Sequence, residues 1–222
     1  MIKRGLIIGG YNTAARGWTL TKWQLAAATQ KTSYVDKSGG DGSWDLSTTM
    51  TEGIPRYKDR NLSATFECSM WDRAGRETEI RRMVNQLDGL RLDIELPDDP
   101  DHYVIGRVHV KRDYNDLAHA SVTVTATCEP WKYAHTEVEY IKAATTAEQS
   151  LVITNEGRRA VVPTLTVTGD GASIRLAYGP TSLALSAGTY QWPELLLTPG
   201  DHTLVYSGKG TLKITYREAV LE

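Results

Sequence analysis

A run of alternating side chains sets the strongest limit on this chain. Val122, Val124, Ala126 and Cys128 fall on one face, and Ser121, Thr123, Thr125, Thr127 and Glu129 fall on the other. Period two is the mark of a strand with one buried and one wet side, and no helix presents such a stripe. Together with the apolar positions Val108 and Val110 before it, the run predicts a hairpin over residues 102–133. The alternation is expected to stop at Pro130, which has no N–H to give to a sheet. The chain changes character at that point. This places a first domain at residues 1–135 and a second at 136–222.

The first domain repeats the pattern. Leu62, Ala64, Phe66, Cys68 and Met70 alternate with Ser63, Thr65, Glu67 and Ser69. Shorter strands are predicted at 6–8, 19–25 and 92–96, the last cut off by Pro97-Asp-Asp-Pro. One helix is predicted, from Asp72 to Gly89. Ile80, Met83, Val84 and Leu87 have helical spacing, Asp72 suits the N-cap and Gly89 a left-handed end. Arg73, Arg76, Glu77, Glu79, Arg81 and Arg82 are assigned to its wet side. Between residues 31 and 53 the chain is rich in Ser, Thr, Gly and Asp. It is expected to be a long loop, with Trp44-Asp-Leu-Ser as a short apolar anchor. Its aspartates, Asp36, Asp41 and Asp45, lack the spacing and terminal Glu of a calcium loop.

The second half has strands at 151–154, 165–168, 174–178, 183–187, 204–206 and 211–216. Turn signals separate them: Asn155-Glu-Gly, Gly169-Asp-Gly, Tyr178-Gly-Pro, Ser186-Ala-Gly, Pro199-Gly-Asp and Ser207-Gly-Lys-Gly. Short strands at this spacing predict a β-sandwich. The fold class is therefore mainly β.

Composition narrows the function. A net charge of -2 gives no general attraction to nucleic acid or acidic membranes. No apolar run is long enough to span a bilayer, and the N-terminus is too short in apolar residues for a signal peptide, so folding in a cytoplasm is expected. Cys68 and Cys128 are read as buried thiols. Of the five histidines, His102, His109, His119, His135 and His202, most are read as surface or turn residues. Asp98, Asp99 and Asp101 are read as turn chemistry. No nucleophile elbow, phosphate loop, dinucleotide fingerprint or zinc motif is present. No catalytic residue, cofactor site or metal site is assigned, and the chain is not expected to be an enzyme. The alternative is a carbohydrate-binding module, with Tyr178, Tyr190 and Trp192 as its aromatic platform, although Trp192, just before Pro193, is better read as packed under a turn.

Four stretches carry a family resemblance. They are Asp41-Gly-Ser-Trp-Asp-Leu-Ser; Pro55-Arg-Tyr-Lys-Asp-Arg-Asn-Leu-Ser-Ala-Thr-Phe-Glu-Cys, with its Tyr-x-x-Arg start; Tyr103-Val-Ile-Gly-Arg-Val with the strand ending Cys128-Glu-Pro-Trp-Lys-Tyr; and Asn155-Glu-Gly-Arg-Arg-Ala-Val-Val-Pro with the later Leu197-Thr-Pro-Gly-Asp-His-Thr-Leu and Gly210-Thr-Leu-Lys-Ile-Thr-Tyr. In this order the chain resembles the distal tail proteins of long-tailed bacteriophages, the Dit family. The resemblance implies a split β-barrel with one helix in the first domain and a galectin-like β-sandwich in the second. It implies a hexameric ring in the virion tail tip, assembled in the host cytoplasm. The ring would join the major tail tube protein to the tail-tip hub protein, with a receptor-binding protein as a further partner. DNA would pass its channel without specific binding, and no membrane would be involved. The short turns of the second half leave no room for the receptor-binding arm or sugar module that some members carry.

Overall fold

The computed structural model of the chain describes residues 5–51, 53–68, 72–113 and 120–222. It divides into two compact units, Met1–Lys132 with Leu221–Glu222, and Tyr133–Val220.

The first unit contains β1 (Ile7–Ile8), β2 (Tyr11–Asn12), β3 (Trp18–Leu25), β4 (Tyr34–Asp36), β5 (Ser43–Asp45), β6 (Arg60–Cys68), α1 (Arg73–Leu87), β7 (Arg91–Leu96), β8 (Asp99–Asp113) and most of β9 (Ser121–Ala134). Its sheet runs in the order β2-β1-β7-β8-β9-β6-β3 and curls into a half-barrel. The alternation seen in the sequence sets its inner face. Leu62 pairs with Ala126, Ala64 with Val124 and Phe66 with Val122, so the apolar rows of β6 and β9 meet on one side. Ile80, Met83 and Leu87 of α1 pack into the same core with Trp18, Ile94, Val104 and Val108, while Val110 is half-buried against it. Each fully buried side chain of this size contributes about 1.5–3 kcal/mol. Met70 and the hairpin tip that follows Asp113 lie outside the described residues.

Asp72 caps α1 as expected, accepting from the backbone N–H of Ala74 at 3.2 Å and of Gly75 at 2.7 Å. Gly89 has φ +76°, and its N–H is donated to Val108 O. One helix residue departs from its assigned side. Glu79 is buried. It accepts from the Tyr11 hydroxyl at 2.7 Å, and Tyr11 in turn accepts from Trp18 Nε1 at 3.1 Å. Arg82 reaches the other carboxylate oxygen at 3.2 Å, and Arg16 lies over the Tyr11 ring. A charge inside a core is tolerated where partners of this kind surround it. Burial, then the bond to Glu79, pushes the Tyr11 hydroxyl well above its ordinary pKa.

β9 does not stop at Pro130. It runs on to Ala134, and Pro130 keeps the inward alternation. The reason is positional. The pairing of β6 with β9 ends at Arg60 and Cys128, so past Cys128 that side of β9 has no β6 neighbour that needs an N–H. Both cysteines are free and buried, and burial raises the Cys128 thiol to about 11.

The second unit contains the end of β9, β10 (Val138–Ala144), β11 (Gln149–Asn155), β12 (Thr164–Tyr178), β13 (Thr181–Ser186), β14 (Gly188–Gln191), β15 (Gly200–Tyr216) and β16 (Ala219–Val220). Two of the expected turns are bends inside long strands. Thr168 pairs with Thr211 and Ser173 with Lys209, so Gly169, Asp170, Gly171 and Ala172 stand against Gly210 alone. Glycine serves a bulge and a turn by the same freedom, which is why the sequence reads both alike. On one side of the bend β12 and β15 pair with β14 and β10; on the other they pair with β13 and β11. Leu165, Val167, Leu212 and Ile214 from one half share a single core with Ile174, Leu176, Leu204 and Tyr206 from the other. The sandwich is thus one sheet folded over on a two-stranded spine.

Asn155, the start of a predicted turn, is buried. Its Nδ2 donates to Leu197 O at 2.9 Å and to Arg159 O at 3.0 Å, and its Oδ1 accepts from Gly157 N at 3.1 Å.

Candidate functional site: an exposed apolar arm

Residues 31–53 are not a structureless loop. β4 and β5 form an antiparallel hairpin, with Tyr34 opposite Asp45, Val35 opposite Trp44 and Asp36 opposite Ser43. Local bonds hold it. Ser43 Oγ donates to Asp36 at 2.8 Å, Leu46 N to Ser33 O at 2.8 Å, and Ser33 N to Ser47 Oγ at 2.9 Å. The Asp45 carboxylate accepts from the Ser47 side chain and backbone, which lowers its pKa. At the base, Gln30 bridges Tyr57, and Lys31 N donates to Arg56 O at 2.8 Å.

What the hairpin lacks is a core. The Trp44 anchor expected from the sequence is 62% exposed, Tyr34 is 61% exposed and Met50 is 93% exposed. Val35 and Leu46 are exposed as well. Lys37 Nζ sits 5.0 Å from the Trp44 ring centre and gives it cation–π cover on one face. A two-stranded hairpin is marginal in water on its own, and five large apolar side chains on one small arm are more than a solvated surface usually carries.

Of the three aromatic residues of the alternative sugar-binding reading, one is buried and two are hydrogen-bonded. Trp192 is 6% exposed and lies in the core of the second unit. The Tyr178 hydroxyl bonds His202 Nδ1 at 2.8 Å, and that of Tyr190 bonds Ser186 Oγ at 2.9 Å. His202 is buried between Tyr178 and the carbonyl of Thr198.

Among the acidic trio, Asp99 forms a cluster. His102 Nδ1 lies 2.8 Å from one of its oxygens, and Lys132 Nζ donates to the other at 2.9 Å. Partial burial raises the Asp99 pKa, but these bonds outweigh it and leave it below its ordinary 3.8. A carboxylate held low in the folded state stabilises the fold above its unfolded pKa, and that contribution is lost as pH falls through the folded one. Thermal unfolding of the wild type and Asp99→Asn should therefore differ at neutral pH and converge in acid below the folded pKa. A difference independent of pH would show that Asp99 acts by shape and not by charge.

Among the described residues no group of His, Cys, Asp and Glu is placed to hold a metal ion, and no helix is long and apolar enough to cross a membrane.

No protein-family profile matches the chain, and no curated protein matches it in sequence. A solved structure does match. The crystal structure of the SPP1 Dit protein, presented as a paradigm of the hub adsorption apparatus in phages infecting Gram-positive bacteria, aligns with 96% of this chain and 98% of its own, with a TM-score of 0.68 and 15% identity. The likeness is one of fold, and it runs through both units.

Proposed function

We propose that the chain is a structural protein of a phage tail tip. Six copies close into a ring that joins the tail tube protein to the tail-tip hub protein. The second unit, galectin-like in the family that the sequence resembles, serves as a platform for further tip components, a receptor-binding protein among them. DNA crosses the ring without specific binding, which a near-neutral chain favours, since a strongly basic lining would hold phosphates. The protein performs no catalysis.

The observation that carries this reading is the exposed apolar arm. A ring needs each copy to offer a surface that its neighbour covers. The β4–β5 hairpin reaches the surface with Val35 and Trp44 paired across it and no partner of their own in the first unit's core. The shared fold supports the setting in which that covering takes place.

The test is assembly. Mass photometry and negative-stain microscopy of the wild type, alone and co-expressed with its tail tube and hub proteins, should show six-fold rings. Val35→Glu with Trp44→Ala should abolish them, at a cost of about 2 kcal/mol or more for an aromatic anchor. The same change should leave the unfolding temperature of the monomer nearly unchanged, because the arm has no core to lose. Rings that form normally in the double variant, or a wild type that stays monomeric with both partners present, would sink the proposal.

A further inference from the structure

Arg60, the last residue of the Tyr-x-x-Arg segment, opens β6 on its core-facing side and is 3% exposed. Its Nη1 donates to Leu221 O at 3.0 Å. Its Nε and Nη2 have no partner among the described residues. Those two donors form one edge of the guanidinium plane, the edge that meets both oxygens of a carboxylate side by side. Arg60 also lines a cleft of about 310 Å³ with Trp23, Gln24, Leu25, Leu96, Lys132 and Glu222. Lys132 is already neutralised by Asp99 at 2.9 Å. One buried cation is left with half of its fork unused, a costly state unless an anion completes it.

We propose that this cleft is a carboxylate-binding site, in which the Nε–Nη2 edge of Arg60 takes both oxygens and Trp23, Leu25 and Leu96 take the apolar body that bears them. A single unused edge beside apolar walls matches one negative charge and disfavours a dianionic phosphate. Both donors are closed off from water here, so a ligand reaches them by parting the side chains around them. Burial lowers the Arg60 pKa, and the nearby Glu222 carboxylate acts against that. The carboxylate has two sources: Glu222 itself, exposed and one residue past the carbonyl that Arg60 holds, or an acidic side chain brought by another polypeptide.

The experiment is an NMR titration of the full nitrogen-15-labelled chain with sodium benzoate, with sodium chloride holding ionic strength constant and inorganic phosphate as a second probe. The Arg60 Nε–H resonance should shift saturably with benzoate and less with phosphate. Arg60→Gln should remove the binding. If that variant does not fold, Gln24→Glu, a change at an exposed position, places a carboxylate in the cleft and should weaken benzoate about tenfold or more while raising the unfolding temperature. Glu222→Gln identifies the source. Tighter benzoate binding with a lower unfolding temperature supports the site with Glu222 as its resident ligand. Unchanged affinity supports the site with an incoming acid as its ligand. A shift that never saturates, or benzoate binding untouched by Gln24→Glu, overturns the proposal.

Discussion

Gly208→Ala is expected to destabilise the second unit by about 4 kcal/mol, the sum of about 1–3 for an unfavourable backbone conformation and about 1–3 for overpacking. Gly208 has φ +134°, and a Cβ there would lie 2.1 Å from Ser173 O and 2.9 Å from Ile174 Cα. Both obstacles are backbone of the partner strand, so no side chain can swing aside. Gly179 makes the matched control. Its φ is +55°, but a Cβ would meet nothing within 4 Å, so Gly179→Ala should cost only about 1–2 kcal/mol. Chemical denaturation of the full chain, with hydrogen exchange to assign the loss to residues 133–220, measures both. Equal costs at the two glycines would mean that conformation alone matters, and that the close approach of β12 to β15 is relaxed easily.

Glu79→Ala should cost about 2–4 kcal/mol. It leaves the buried Tyr11 hydroxyl without its acceptor and Arg82 without its counter-charge. Glu79→Gln should cost less, because its amide oxygen still accepts from Tyr11. Tyr11→Phe should fall between them, since it strands both the Glu79 oxygen and Trp18 Nε1. A double-mutant cycle on Tyr11 and Glu79, read by denaturant unfolding, should give a coupling well above the scatter expected of independent sites. Strict additivity would show that α1 is held by its apolar face alone.

Particular residues show where sequence is informative and where it is not. The faces of β6 and β9 were legible because alternation leaves no other fold for Leu62, Phe66, Val122 and Val124. Glu79 was assigned to solvent on its charge. Its spacing said otherwise, since it lies four residues before Met83 and eight before Leu87, on the face that packs. Gly169 and Gly208 were legible as glycines with a conformational purpose. Whether that purpose is a turn or a bend depends on a partner strand distant in sequence. Trp44 shows a third kind of limit. An aromatic residue after a glycine turn has the same local pattern whether it plugs its own core or waits for another surface. Arg60 was visible only as part of a loose motif, and the carbonyl it bonds, that of Leu221, lies far along the chain.

That last distance orders events during synthesis. Arg60 and Leu221 are 161 residues apart, yet both belong to the first unit. At about 5–20 residues per second, the ribosome makes Arg60 roughly ten to thirty seconds before the carbonyl that will hold it. Through that interval the whole second unit is being made, and Arg60 waits without the carbonyl that Nη1 will bond. The first unit therefore completes its fold only after the second has been translated, so a truncated chain cannot present a finished copy of it.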